Sequence, residues 1–502
     1  MKILLLYPEF PDTFWSFKHA LKFIDKKAGT PPLGLLTIAA MLPHGWEKRL
    51  VDVNIHPLQD SDLEWADWVM ISAMVVQRDS AHELIERAKN AGKIVIAGGP
   101  LFSTEYESFP LVDHFVLNEG EITLPQFMMD YHLGSLKRVY TSDEHPDLEK
   151  TPAPLWELAD LKQYATMSIQ FSRGCPFNCD FCNITVMLGH RPRTKSAKQL
   201  ISELDGLYQL GWREPVFIVD DNFIGNKKIL KEEVLPALIE WRKGKVGVPF
   251  NTEVSINLSD DGELMEMMVQ AGFNEVFVGI ETPNEESLVE CSKKQNQNRD
   301  LVQSVKRIQR AGMEVQGGFI VGFDSDTESI FEKQANFIMK SGITTAMIGL
   351  LQAPTGTRLY DRMKKEGRLL GEMTGDNGDG STNIIPRLDL AVLKRGHQRL
   401  ISYLYTPKAY YQRAKSFLQT VQPPKVQIYM DWNYIRALFR SIISLGIQGV
   451  ERVEYWKLFF WALFKKPRIF PQAITLAIYG HHFRTLAEQL FKEKLPDLFA
   501  LE

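Results

Sequence analysis

The chain has 502 residues, too many for one ordinary core, so two to four domains are expected. Its 44% hydrophobic and 24% charged content exclude a largely disordered protein. A net charge of −4 lacks the basic excess of a dedicated nucleic-acid binder.

No run of about 18 uninterrupted apolar residues occurs, so no membrane-spanning helix is expected. Met1 to Tyr7 leads straight into an apolar strand, without the ordered regions of a signal peptide. Of four cysteines, three fall within eight residues, which is no disulfide framework. The expected setting is therefore a reducing one, the cytoplasm.

In chain order, Lys2–Tyr7 reads as a strand and residues 32–42 as a helix opened by prolines. Residues 49–53, 68–76, 93–97 and 114–117 read as further strands, with helices over 80–91 and 124–131. Short apolar strands alternating with helices predict a doubly wound, flavodoxin-like parallel sheet over 1–140, which takes ligands at the carboxyl ends of its strands. Residues 141–164 read as a linker, rich at first in Asp, Glu and Pro.

A second strand series follows at 166–171, 216–219, 250–255, 276–280, 315–321 and 344–350. Helices over 197–210, Gly262–Ala271, 300–311 and 329–340 separate these strands. Six βα units predict a partial (β/α)6 barrel over 165–370. A Gly- and Asp-rich linker over 371–385 then leads to a helical, aromatic-rich C-terminal domain over 386–502.

The strongest chemical signal is Cys175-Pro-Phe-Asn-Cys179-Asp-Phe-Cys182, just after the first barrel strand. Barrel enzymes carry their chemistry at that end of the strands. An iron–sulfur cube normally takes four cysteines, so three thiolates on one loop would leave one iron open. The alternatives are three structural cysteines or a zinc site. Zinc would need a fourth donor, such as His190 or the distant Cys291, and the C-x3-C-x2-C spacing is not that of a zinc knuckle. Cys291 reads as a packing residue.

The run Ser172-Arg173-Gly174-Cys175 to Phe181-Cys182 resembles the radical S-adenosylmethionine (SAM) signature. The resemblance implies a [4Fe–4S] cluster on Cys175, Cys179 and Cys182, with Phe181 near the SAM adenine. In similar enzymes, segments like Asp220-Asp221-Asn222-Phe223, Gly279 to Thr282 with Glu281, and Gly318 to Phe323 with Gly322 hold the methionine amino group, the ribose and the adenine respectively.

A parallel sheet ahead of such a barrel resembles the cobalamin-binding domain of B12-dependent radical SAM enzymes. Its implied contacts are Ser72, Gly98, Gly99, Glu119, Gly120 and Glu121, where glycines let the backbone approach the cofactor closely. The loop after the first strand lacks the Asp-x-His-x-x-Gly motif that ligates cobalt in many B12 domains. The stretch Asp130 to Gly134, with His132, is a near miss with the wrong spacing. The lower cobalt face is therefore expected to carry no histidine.

The loop 11–16, the Phe14-Trp15-Ser16-Phe17 run, residues 39–41 and 71–77, and the C-terminal region look closest to the subgroup with hopanoid C-2 methylases. The resemblance implies methylation of an unactivated carbon through a 5′-deoxyadenosyl radical and methylcobalamin. A non-methylating cobalamin-dependent oxidase or cyclase, and a non-enzymatic cobalamin-binding module or sensor, stay open as alternatives. The implied partners are a small, lipid-like substrate and an electron donor such as flavodoxin or ferredoxin.

Between Trp432 and Arg484, eight Lys/Arg face two Glu amid many aromatics. That composition suits a peripheral membrane contact. It equally suits aromatics packed inside an ordinary helical domain with a solvated charged face.

Overall fold

The structure, a computed structural model, describes residues 1–491 except Pro424, Gln427, Ile428, Met430 and Asp431. The end of the expected C-terminal domain, 492–502, lies outside the described residues. Two compact units form. The first comprises Met1–Asp12, Lys27–Ser172 and Arg193–Trp212; the second comprises Thr13–Lys26, Arg173–Pro192 and everything from Arg213 onward.

The first unit is built on β1 (Lys2–Tyr7), β2 (Glu47–Asp52), β3 (Trp68–Ser72), β4 (Ile94–Gly98), β5 (His114–Val116) and β6 (Val139–Tyr140). All pairings are parallel, in the order β2-β1-β3-β4-β5-β6. This is the expected flavodoxin-like order with one strand added, and its switch point lies between β1 and β3. Ile3 to Leu6 form an unbroken apolar run because both faces of the sheet are covered. Leu4 and Leu6 join one buried cluster; Ile3 and Leu5 join the other.

The helices α1 (Leu33–Met41), α2 (Arg78–Asn90) and α3 (Gly120–Leu133) supply the crossovers. Two boundaries differ from expectation by more than two residues. The third strand stops at Ser72 because Val75–Gln77 turns as a 3-10 helix. The helix expected over 124–131 begins at Gly120, four residues earlier, and runs through Pro125.

The six strands expected of the barrel all form: β7 (Met167–Ile169), β8 (Val216–Ile218), β9 (Phe250–Val254), β10 (Phe273–Glu281), β11 (Glu314–Val321) and β12 (Ala346–Leu350). In the second unit, β12-β11-β10-β9-β8 run side by side, all parallel. The helices α4 (Gly262–Ala271), α5 (Leu301–Ala311) and α6 (Ile330–Ser341) alternate with them.

Side chains alternate along each strand. On β10, Val276, Val278 and Ile280 are fully buried, while Glu275, Phe277 and Gly279 keep some exposure. The first set faces the helices and the second faces the barrel interior.

The C-terminal helices are α7 (Leu390–Leu404), α8 (Pro407–Thr420), α9 (Trp432–Ser441), α10 (Arg452–Lys465) and α11 (Phe470–Phe491). Arg413 on α8 is fully buried, and donates to the carbonyls of Ile343 and Leu404 at 3.0 and 2.7 Å. Those bonds offset the cost of burying its charge. Among the described residues, no helix is long and apolar enough to cross a membrane.

Candidate active site

The cysteine loop leaves Arg173 through Gly174, whose φ of +96° belongs to the region that favours glycine. A Cβ there would lie 2.9 Å from the Gly189 carbonyl oxygen. The loop thus doubles back on itself, and the Cys175 amide donates to the same carbonyl at 3.2 Å. Burial pushes the Cys175 thiol up and the Cys182 thiol up to about 12. Such thiols become thiolates readily only when a strong positive centre compensates them, as a metal cluster does.

Among the described residues, no group of three His, Cys, Asp or Glu is gathered as a single ion would require. Three thiols on one loop suit a larger cluster, and the donor chemistry fits [4Fe–4S].

Cys291 is distant in sequence but near in space, since its carbonyl accepts from the Asp180 amide at 3.0 Å. Its side chain is 3% exposed and packs with Phe323, Leu351 and Ala353, as expected of a packing residue. Phe181 lies against the same apolar set, 6.4 Å from the Phe323 ring. The loop aromatic is thereby brought to the end of β11, beside Gly322. Gly322 has a φ of +103°, and its amide donates to Asp326 at 2.9 Å.

Asp220 is fully buried after β8. Burial pushes the neighbouring Asp221 carboxyl up to about 6, while Arg173 opposes that rise. Glu281 closes β10 in the left-handed region (φ +62°) and holds Lys293 at 2.6 Å. Burial alone would lower the Lys293 pKa. The facing Glu281, Cys179 and Cys182 outweigh burial and raise it.

Lys293 and Glu253 were not foreseen from sequence. Neither lies in a recognisable motif, and a lone charged residue reads as solvated surface.

In the first unit, Ser72, Gly98 and Gly99 meet at the carboxyl ends of β3 and β4. Gly99 has a φ of +90°, and a Cβ there would overlap the Ser72 hydroxyl. A Cβ on Gly98 would sit 2.5 Å from the Val116 carbonyl oxygen. This polar, glycine-built cradle beside the switch point fits the tail of a cobalamin.

Glu119, Gly120 and Glu121 open α3 at the same edge. The Glu119 carboxylate accepts from Arg193 at 2.8 and 3.1 Å and lies 2.9 Å from the His145 ring, so its charge is already engaged. Glu121 accepts from Thr151 at 2.9 Å. His132 stands at the opposite end of α3. Changing Gly99 to Ala is expected to cost about 1–3 kcal/mol, because its φ of +90° with ψ of −178° is open essentially to glycine alone, and to release cobalamin on gel filtration while the cluster spectrum persists.

The chain matches the radical SAM superfamily over residues 169–338, the B12 binding domain over 27–128 and a domain of unknown function over 357–495. It is 40% identical to an uncharacterized methyltransferase of Synechocystis sp., over 99% of this chain and 94% of that one. It is 34% identical to the hopanoid C-2 methylase of Rhodopseudomonas palustris, over 91% and 88%. The solved structure of the cobalamin-dependent SAM radical enzyme OxsB shares the fold, with a TM-score of 0.63 at 13% identity over 98% of this chain and 80% of that one. The radical SAM methyltransferase TsrM from Kitasatospora setae shares it at a TM-score of 0.56 and 15% identity, over 86% and 91%. The chain belongs to the cobalamin-dependent radical SAM methyltransferase family, in the subgroup that contains hopanoid C-2 methylase.

Proposed function

We propose that the protein methylates an unactivated carbon of a small, lipid-like molecule. The observation that carries this reading is the pairing in one chain of a three-cysteine loop and a glycine cradle on a separate parallel sheet. The hopanoid C-2 methylase relationship supports a polycyclic lipid as the substrate class.

When bound, the [4Fe–4S] cluster, SAM and cobalamin supply the electron, the hydrogen-abstracting radical and the methyl group. The chain's own residues provide placement. Cys175, Cys179 and Cys182 hold the cluster. Asp220 and Asp221 take the ammonium of SAM, Glu281 its ribose, and Phe181 with Gly322 its adenine. Ser72, Gly98 and Gly99, with the start of α3 from Glu119 to Glu121, receive the cobalamin tail. The apolar set around Phe323 and Leu351 keeps water from the adenine side.

Reconstituted protein given methyl-labelled SAM and a flavodoxin or ferredoxin donor is expected to release both 5′-deoxyadenosine and S-adenosylhomocysteine, with label in the product. Release of the first without the second would favour an oxidase or cyclase. Release of neither would favour a cobalamin-binding module.

We further propose that the enzyme meets its substrate at an anionic membrane surface through α9 and α10. Trp432, Ile435, Phe439, Ile443, Ile447 and Val450 recur every three or four residues, and all are exposed, Trp432 to 73% and Phe439 to 61%. On α10, Tyr455 and Leu458 are buried while Phe464 is 74% exposed. The aromatics therefore divide between core and surface, and the surface set forms a stripe suited to the headgroup boundary.

Lys466 is less available than its sequence suggests, because its ammonium donates to the carbonyls of Leu418 and Gln419. Binding to anionic vesicles in a flotation assay should fall as salt rises. The triple change Trp432→Ser, Phe439→Ser and Phe464→Ser should reduce it about tenfold or more, at roughly 1.5–3 kcal/mol per buried side chain. A protein that stays wholly unbound at low salt would remove this membrane reading.

A further inference from the structure

Inside the barrel, β9 carries two polar side chains on its inner face, Asn251 and Glu253, two residues apart. Register sets Asn251 beside Glu275, and Glu253 beside Phe277, on β10. The Asn251 side-chain oxygen is buried and has no hydrogen-bond partner. Glu253 has neither a hydrogen bond nor an ion pair among the described residues. It is only partly buried by area, although it sits deep in the fold. Most other carboxylates in this neighbourhood are engaged: Glu281 by Lys293, Asp326 by Ser287, Glu290 by Ser325.

The wall beside Glu253 is apolar. Phe277 meets the Trp15 ring edge-on at 5.4 Å, and the Trp15 indole nitrogen donates to the Met347 sulfur at 2.9 Å. Trp15 nevertheless stays 37% exposed. The Phe14-Trp15-Ser16-Phe17 run thus delivers an accessible aromatic face against inner-face residues of β10 and β12. Gly279 and Gly318, paired in register one step towards the carboxyl ends, carry no side chains there. A Cβ on Gly318 would lie 2.7 Å from the Phe277 ring, so that glycine makes room for the aromatic.

We propose that Glu253, beside the Phe277 ring that Trp15 meets, is the polar anchor of the substrate pocket and takes a hydroxyl or carbonyl oxygen of an otherwise apolar molecule. This rests on the methyltransferase reading, which makes the barrel interior the substrate side. An unpartnered polar side chain in such a place costs stability until a ligand satisfies it. Burial, with Asp221 and then Asp220 nearby, pushes the Glu253 carboxyl up to about 8, and Lys293 pulls the other way. A carboxyl raised in this way can hold its proton and donate to an oxygen, and as a carboxylate it accepts from a hydroxyl. Asn251 supplies a second site on the same face.

The test uses holoprotein with its cluster, cobalamin and SAM, and two matched probes, 2-decalol and decalin, which differ by one hydroxyl. Equilibrium binding should favour the alcohol by about tenfold, the factor expected of one net hydrogen bond. Glu253→Leu should erase that preference and leave decalin affinity unchanged. Glu253→Gln, which can still donate, should keep the preference. Trp15→Ala should weaken both probes together. Cluster absorption and circular dichroism establish that each variant is folded and loaded. Equal affinity for the two probes, a preference that survives Glu253→Leu, or no binding of either probe would overturn the proposal. S-adenosylhomocysteine release is measured on the same preparations, so methyl transfer stands or falls separately.

Discussion

Anaerobically prepared protein should carry about four irons per chain, and changing Cys175, Cys179 or Cys182 to Ala should each reduce both iron and SAM cleavage to background. The informative control is Cys291→Ala. Burial raises its thiol pKa first and the nearby Cys179 adds to that rise, so proximity alone would make it a candidate fourth ligand. Its sulfur, however, is turned toward the Leu288 carbonyl at 3.7 Å and sits among Phe323, Leu351 and Leu359. Removing it should cost only a small packing cavity, with iron content and 5′-deoxyadenosine formation near those of the unaltered protein. Loss of iron from Cys291→Ala as complete as from Cys179→Ala would overturn the three-ligand assignment.

What could be foreseen from sequence, and what could not, follows from how each signal is encoded. The strands of both sheets, the two-residue β6 apart, were legible because parallel strands buried on two faces are written as unbroken apolar runs, such as Ile3 to Leu6. The cysteine loop was legible because its chemistry is local: three donors within eight residues need no tertiary information. Boundaries were less so. Ser72 to Gln77 reads as one β-prone stretch, yet the strand must end at Ser72, where Gly98 pairs with it and the chain turns. The start of α3 was missed because Gly120 is a poor helix former. The glycine is tolerated there because a Cβ would meet the Ile38 side chain.

The largest gap concerns charges whose partners lie far along the chain. Arg193 meets Glu119 across 74 positions, and Lys293 meets Glu281 only because the chain returns after the helix Glu285–Glu290. No periodicity records such a pairing. Trp15 is a middle case. Its aromatic run was noticed as a family likeness, but its place against β10 and β12 depends on the fold.

Lys293 gives the second large expected effect. Its ammonium and the Glu281 carboxylate are 2.6 Å apart, with side chains 12% and 8% exposed. Water can therefore do little for either charge if the other is removed. Lys293→Met should destabilise the second unit by about 3–5 kcal/mol, the usual cost of stranding one member of a buried pair. The double change Lys293→Met with Glu281→Leu should recover most of that loss, because no isolated charge then remains. Lys231 is the internal reference. It pairs with Glu263 and with Asp261, each at 2.8 Å, but at the surface, where Glu263 is 73% exposed, and such a pair is worth about 0–1 kcal/mol. Lys231→Met should accordingly shift the anaerobic urea midpoint very little. Because the Lys293 ammonium also faces Cys179 and Cys182, its loss should weaken retention of the loaded cluster as well as the fold. The two effects separate in the double variant, where stability returns but the charge opposite the thiolates does not. A Lys293→Met protein with the stability of the Lys231→Met protein would show that the buried pair does not hold this end of the barrel together.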